Sequence, residues 1–164
     1  MRLNHVGICV KDVEKSIRFY RDAFGLTLYE DRILSGPEVD TVFNVKDGKL
    51  RMVLLLDEAM NAIELYGWIS ETPKERPSEH NTFTSVGIVE VSLLVDNIEA
   101  TEKRLVENGY HFRTPLWSLG KDTDLFGDLY AKVRYVQDPD GVQVELIELV
   151  PEETPDSEWC KFVL

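Results

Sequence analysis

Residues 3–31 read LNHVGICVKDVEKSIRFYRDAFGLTLYED, and residues 87–115 read GIVEVSLLVDNIEATEKRLVENGYHFRTP. Each runs from an apolar strand through a short polar turn into an amphipathic helix, then a glycine, then a second strand. Val10 falls on Val95, Asp12 on Asn97, Val13 on Ile98 and Glu14 on Glu99, a constant offset of 85 that a one-residue gap carries to Gly25 over Gly109. Asp and Asn cap the orphan amides of a helix start, and glycine suits a left-handed helix stop. Two more strands close each half, in LRMVLLLDEAMNAIELYGW (50–68) and LYAKVRYVQDPDGVQVELIEL (129–149), with turns at DEAMN and DPDG. The pattern predicts an α+β fold of tandem βαβββ modules over residues 1–68 and 86–150, their helices outside a curved mixed sheet. A polar linker, 69–85, joins them, and a tail, 151–164, ends in an apolar WCKFVL that docks on this chain or on a partner subunit.

GIVEVSLLV, residues 87–95, reads as one buried strand carrying a single ionisable residue, Glu90. An unpartnered carboxylate in such a run costs on the order of several kcal/mol or takes up a proton through a raised pKa, so something must compensate it. The repeat places Glu90 over His5. Side chains alternate across a strand, so His5, Gly7 and Cys9 share one face and Val6, Ile8 and Val10 the other. The last strands supply a second matched pair, Glu64 in AIELYGW and Glu145 in QVELIEL, each an acid between apolar neighbours. A local twofold would bring all four toward one centre, where a divalent cation compensates the charge. Glu148 stands three residues after Glu145 and so faces the opposite side.

Eighteen basic against thirty acidic residues give a formal charge of −12, which argues against nucleic-acid or anionic-membrane partners. The apolar runs are too short to span a bilayer, and MRLNHVGICV lacks a signal-peptide core, so a cytoplasmic location is expected. Cys9 and Cys160 form neither a CxxC pair nor a disulfide framework. No GxGxxG or GxxxxGK[ST] is present to cradle a nucleotide, and KDTDLFGD (121–128) lacks the twelfth-position acid of a calcium loop. His80 and His111 read as structural histidines. Arg51 and Arg134 fall in the matched third strands, placed either to meet an anionic substrate or to pair with the many carboxylates.

LNHVGICVKDVEKSIRFYRDAFGL, AIELYGW, VDNIEATEKRLVENGY and YVQDPDGVQVELIE together resemble the vicinal oxygen chelate superfamily. That group includes glyoxalase I, methylmalonyl-CoA epimerase, extradiol dioxygenases and the bleomycin- or fosfomycin-resistance proteins. The resemblance implies a cup of two βαβββ modules around a metal held by the first and fourth strand of each. Its ligands would be His5, Glu64, Glu90 and Glu145, with a homodimer as the assembly. Metal-dependent members usually carry His where this chain has Glu90. One His with three carboxylates is an oxygen-rich set suited to Mn, Fe, Co, Ni or Zn as the divalent cofactor. A ring-cleaving dioxygenase needs two His and one carboxylate on iron, and Glu90 removes one of those His. The resemblance therefore implies a glyoxalase-like, metal-dependent lyase or isomerase/epimerase. Its substrate would be a small α-oxygenated carbonyl compound or thioester, reacting through a metal-stabilised enediolate, with Glu145 or Glu64 moving the proton. The alternative is a metal-free small-molecule binding or resistance-type protein of the same fold.

Overall fold

The structure is a computed structural model that describes residues 3–75, 77, 82–119 and 130–150. His80, Cys160, KDTDLFGD, the tail 151–164 and part of the expected linker lie outside the described residues. The chain divides into two compact units, Met1–Pro77 and Ser78–Leu164.

The first unit runs β1 (His5–Cys9), α1 (Val13–Ile17), β2 (Thr27–Ser35), α2 (Pro37–Phe43), β3 (Lys49–Leu56) and β4 (Ala62–Trp68). Its sheet has the order β1-β4-β3-β2, with β1 parallel to β4 and the other pairs antiparallel. Asp12 caps α1 by accepting from the Lys15 amide at 3.1 Å, and the helix winds on through a π-helical turn, Arg18–Ala23. Gly25 then takes a φ of 79°, the left-handed stop expected of it. Ile17, Phe19, Tyr20 and Ala23 are buried with Val53, Ile63 and Leu65 in the core of this unit. Gly67 permits the helix to lie so close, because a Cβ there would stand 2.1 Å from Val13 Cγ2.

The second unit repeats the plan with β5 (Val91–Leu94), α3 (Ile98–Glu107), β6 (Trp117–Leu119), β7 (Ala131–Gln137) and β8 (Gln143–Leu149). Its sheet order, β5-β8-β7-β6, is that of the first unit. Asn97 caps α3 through the Ala100 amide at 2.7 Å, and Gly109 follows the helix with a φ of 84°. The hairpins also match. Asp57 accepts from the Asn61 amide at 2.7 Å, and Asp138 accepts from the Val142 amide at 2.8 Å, so each turn is closed by its own first residue. Both sheets are mixed and neither closes on itself, as the βαβββ pattern requires.

Two expectations need correction. The strand read over 87–95 is shorter, Val91–Leu94, and Glu90 stands just before it. Gly87 adopts a φ of 127°, and Val86 and Ile88 are exposed, so the apolar look of this run does not reflect a strand core. The first unit also gains α2 where only a connection between strands was expected. Pro37 begins that helix with its φ already set, Asn44 ends it at a φ of 53°, and Asp40 Oδ1 binds the Gly48 amide at 2.7 Å.

Candidate functional site

In the first unit the register sets Gly7 opposite Glu64 and Cys9 opposite Tyr66. Period-two alternation then puts His5, Gly7, Glu64, Tyr66 and Trp68 on the sheet face away from α1. Glu64 is only 9% exposed. Its Oε2 accepts a short hydrogen bond from the Tyr66 hydroxyl and lies 3.3 Å from His5 Nε2, while His5 Nδ1 stands 2.8 Å from Asn4 Oδ1. Gly7 makes this possible, since a Cβ there would come within 2.7 Å of the Tyr66 ring. Burial, then the bond to Glu64, raises the Tyr66 phenol above its ordinary range, so it stays a donor at neutral pH. Phe43 of α2 packs edge-on against Tyr66 and Trp68, with ring centres 5.7 and 5.6 Å apart.

In the second unit Ser92 pairs with Glu145 across β5 and β8, as Gly7 pairs with Glu64. The matched registers keep the offset of 85 along the first strands, with Gly7 answering to Ser92; carried two residues back, this offset lines His5 up with Glu90, which stands before β5. Glu145 accepts from Ser92 Oγ at 2.6 Å and from the Tyr135 hydroxyl at 2.7 Å. Here the phenol comes from the neighbouring strand, because Tyr135 lies directly opposite Glu145 in β7. Burial, followed by the bond to Glu145 and the charges of Glu145 and Glu90, raises the Tyr135 phenol too.

Glu90 is half-buried, and its Oε2 is buried with no hydrogen-bond partner among the described residues. Burial pushes its carboxyl above the ordinary range, the Glu145 charge pushes further, and the Tyr135 hydroxyl opposes both. Of the four residues expected at one centre, each unit brings two together, His5 with Glu64 and Glu90 with Glu145, and the sequence reading missed the hydroxyls that hold the carboxylates. Tyr66 and Ser92 were signalled by period two, as they stand two residues after Glu64 and Glu90. Tyr135 needed the register between β7 and β8. Within either unit, among the described residues, no group of three or more His, Cys, Asp or Glu gathers to hold a metal.

The basic residues of the third strands sit on the opposite face. Glu148, the expected outsider, accepts from the Ile98 amide at 2.7 Å and faces Lys132 at 3.2 Å. Arg51 matches Lys132 rather than Arg134, for Arg51 pairs with Gly67 as Lys132 pairs with Glu148. Arg51 bridges Glu14 and Asp31, and Lys132 bridges Glu99 and Glu148. Arg134 is paired with Glu102 and stacks over Phe112. These cations tie helix to sheet.

The sequence model of the Glyoxalase/Bleomycin resistance protein/Dioxygenase superfamily matches residues 2–146. The chain belongs to this superfamily. It is 29% identical over 150 residues to lactoylglutathione lyase of Schizosaccharomyces pombe, a match that covers 89% of this chain and 47% of that protein. The chain therefore spans about half the length of this curated relative. Among solved structures, a glyoxalase family protein from Bacillus cereus superposes with a TM-score of 0.78 at 18% identity, over 92% of this chain and 95% of that one. An antibiotic-binding protein from a Streptomyces species does so at 0.57 and 19% identity, over 92% and 97%. At such identities the superfamily members share the fold, and chemistry must be argued from the residues. No helix among the described residues is long and apolar enough to cross a membrane.

Proposed function

We propose that the chain is a glyoxalase-type, metal-dependent lyase or isomerase acting on a small α-oxygenated carbonyl compound or thioester. The observation that carries this reading is Glu90. A carboxylate oxygen that is buried, beside a second carboxylate and without a hydrogen-bond partner among the described residues supports a cation as its missing partner. His5, Glu64, Glu90 and Glu145 would hold it, an oxygen-rich set that fits Mn, Fe, Co, Ni or Zn. When bound, such an ion would supply Lewis-acid polarisation of a carbonyl oxygen, which would acidify the adjacent carbon. Glu145 then takes the proton from that carbon and returns it at the neighbouring one, with the Ser92 and Tyr135 hydroxyls fixing its orientation. Glu64, held by Tyr66 and His5, is the second carboxylate placed for the same task. The likeness to lactoylglutathione lyase supports the choice of thioester chemistry. A cytoplasmic homodimer belongs to the same reading, and a sedimentation mass of 18.8 kDa at micromolar concentration would count against the dimer.

The test is elemental analysis of protein purified without chelator, then removal of metal with EDTA and reloading. Assays would use 2-hydroxythioesters and thiol adducts of 2-oxoaldehydes, followed by thioester absorbance. Bound transition metal with activity that is lost and restored in step supports the reading. Full activity in EDTA overturns it. A second reading, a metal-free small-molecule binding protein, is favoured by the hydroxyls that already satisfy Glu64 and Glu145. Tight ligand binding that EDTA leaves untouched would support it.

A further inference from the structure

The second unit contains a cleft of about 280 Å³ lined by Thr82, Phe83, Arg113, Thr114, Tyr135 and Gln143. Among the described residues its lining includes a guanidinium, three hydroxyls and an amide but no carboxylate. In a chain of net charge −12 this composition asks for an explanation. Arg51, Lys132 and Arg134 are each consumed by an acid, whereas the Arg113 side chain is exposed and makes no ion pair or hydrogen bond among the described residues. Its backbone is nonetheless fixed, because the Arg113 amide donates to the Tyr135 carbonyl at 2.9 Å. The next residue reinforces this, with Thr114 Oγ1 accepting from the Tyr135 amide at 3.1 Å and its carbonyl accepting from Arg134 Nε at 3.0 Å. Thr114 has used its oxygen as an acceptor, so its O–H remains to donate. The apolar wall is the edge-on pair Phe83 and Tyr135, with ring centres 5.3 Å apart.

We propose that this cleft binds the carboxylate of a small organic anion, with Arg113 as counter-ion, Thr114 as a further donor, and the Phe83–Tyr135 pair holding a flat or apolar arm. Guanidinium and carboxylate match in charge and geometry, and no described lining residue is an acid, so Arg113 has to outweigh only the charges of Glu145 and Glu90 that act on Tyr135. The same Tyr135 whose ring lines the cleft donates its hydroxyl to Glu145, so an anion seated here lies one side chain from the candidate reactive carboxylate. Taking this anion to be the substrate's charged arm rests on the reading above; the binding itself does not.

Benzoate and its neutral isostere benzamide, titrated in EDTA and followed by the amide signals of Arg113, Thr114 and Gln143, test the proposal. Benzoate is expected to bind saturably and about tenfold or more tighter than benzamide. Arg113→Gln should bring benzoate down to the benzamide level, Arg113→Lys should restore part of the difference, and Lys103→Gln, which removes an exposed charge on α3, should change it by less than about twofold. Equal affinity for the two probes, shifts that never saturate, or unchanged benzoate binding by Arg113→Gln would overturn it. A protein that holds no metal and turns over nothing but shows the expected pattern leaves this site standing. An active metalloenzyme without the pattern refutes the site alone.

Discussion

Glu90 is the residue at which folding and function pull apart. Its carboxyl is pushed up by burial and then by Glu145, so the folded chain holds that proton more tightly than the unfolded chain does. A raised folded-state pKa stabilises the fold fully below the ordinary value, and the contribution is lost as pH rises through the raised one. In EDTA, wild type should therefore lose stability relative to Glu90→Gln from pH 4.5 toward neutrality, as read from urea midpoints at each pH. Parallel pH profiles for the two proteins would show that Glu90 carries no such strain. Glu64 makes the complementary case, since it is buried and already has a donor in Tyr66. Tyr66→Phe removes that donor and keeps the ring, so the metal-free protein should lose about 1–3 kcal/mol at neutral pH, checked by denaturation in EDTA.

At the level of elements, the close seating of α1 on β4 depends on the absence of one methyl group. Gly67→Ala puts a Cβ into Val13 and should cost about 1–3 kcal/mol, and adding Val13→Ala should recover part of that loss. Additive losses in the double mutant would mean that the two residues are not in contact. Gly67 and Val13 were both visible in the sequence, yet their meeting was not, because contact between a helix and a sheet is set by tertiary packing. What could be read locally was read well: the caps Asp12 and Asn97, the stops Gly25 and Gly109, and the two hairpins each depend on a few neighbouring residues. The duplicated offsets carried that local information into the register that aligns Gly7 with Ser92 and Glu64 with Glu145. The seven-residue helix α2 escaped because it is too short for a helical period to declare itself, although Pro37 marked its start. Arg51 and Arg134 do fall in the matched third strands, but only strand pairing shows that the residue equivalent to Arg51 is Lys132.

On the scale of the whole molecule, the chain carries thirty acids against eighteen bases, so a merely electrostatic response to divalent cations must be separated from a specific one. A site that binds only the folded state raises stability by RT ln(1 + [L]/Kd), and the gain grows with the logarithm of ion concentration. General screening by so acidic a surface would not depend on any single carboxylate. Glu90 and Glu148 provide the contrast. Both are second-unit acids, but Glu90 has an oxygen beside Glu145 with no hydrogen-bond partner among the described residues, whereas Glu148 is spent on the Ile98 amide and Lys132 on the α3 face. Stripped wild-type protein titrated with Mn²⁺ or Zn²⁺ should show a rising melting temperature. Glu148→Gln should start lower, having lost the charge that faces Lys132, and gain the same increment as wild type. Glu90→Gln should start as high as wild type or higher and gain clearly less. Calorimetric melts across the titration distinguish the cases, and equal increments in all three proteins would assign the cation effect to the surface and remove Glu90 from the ligand set.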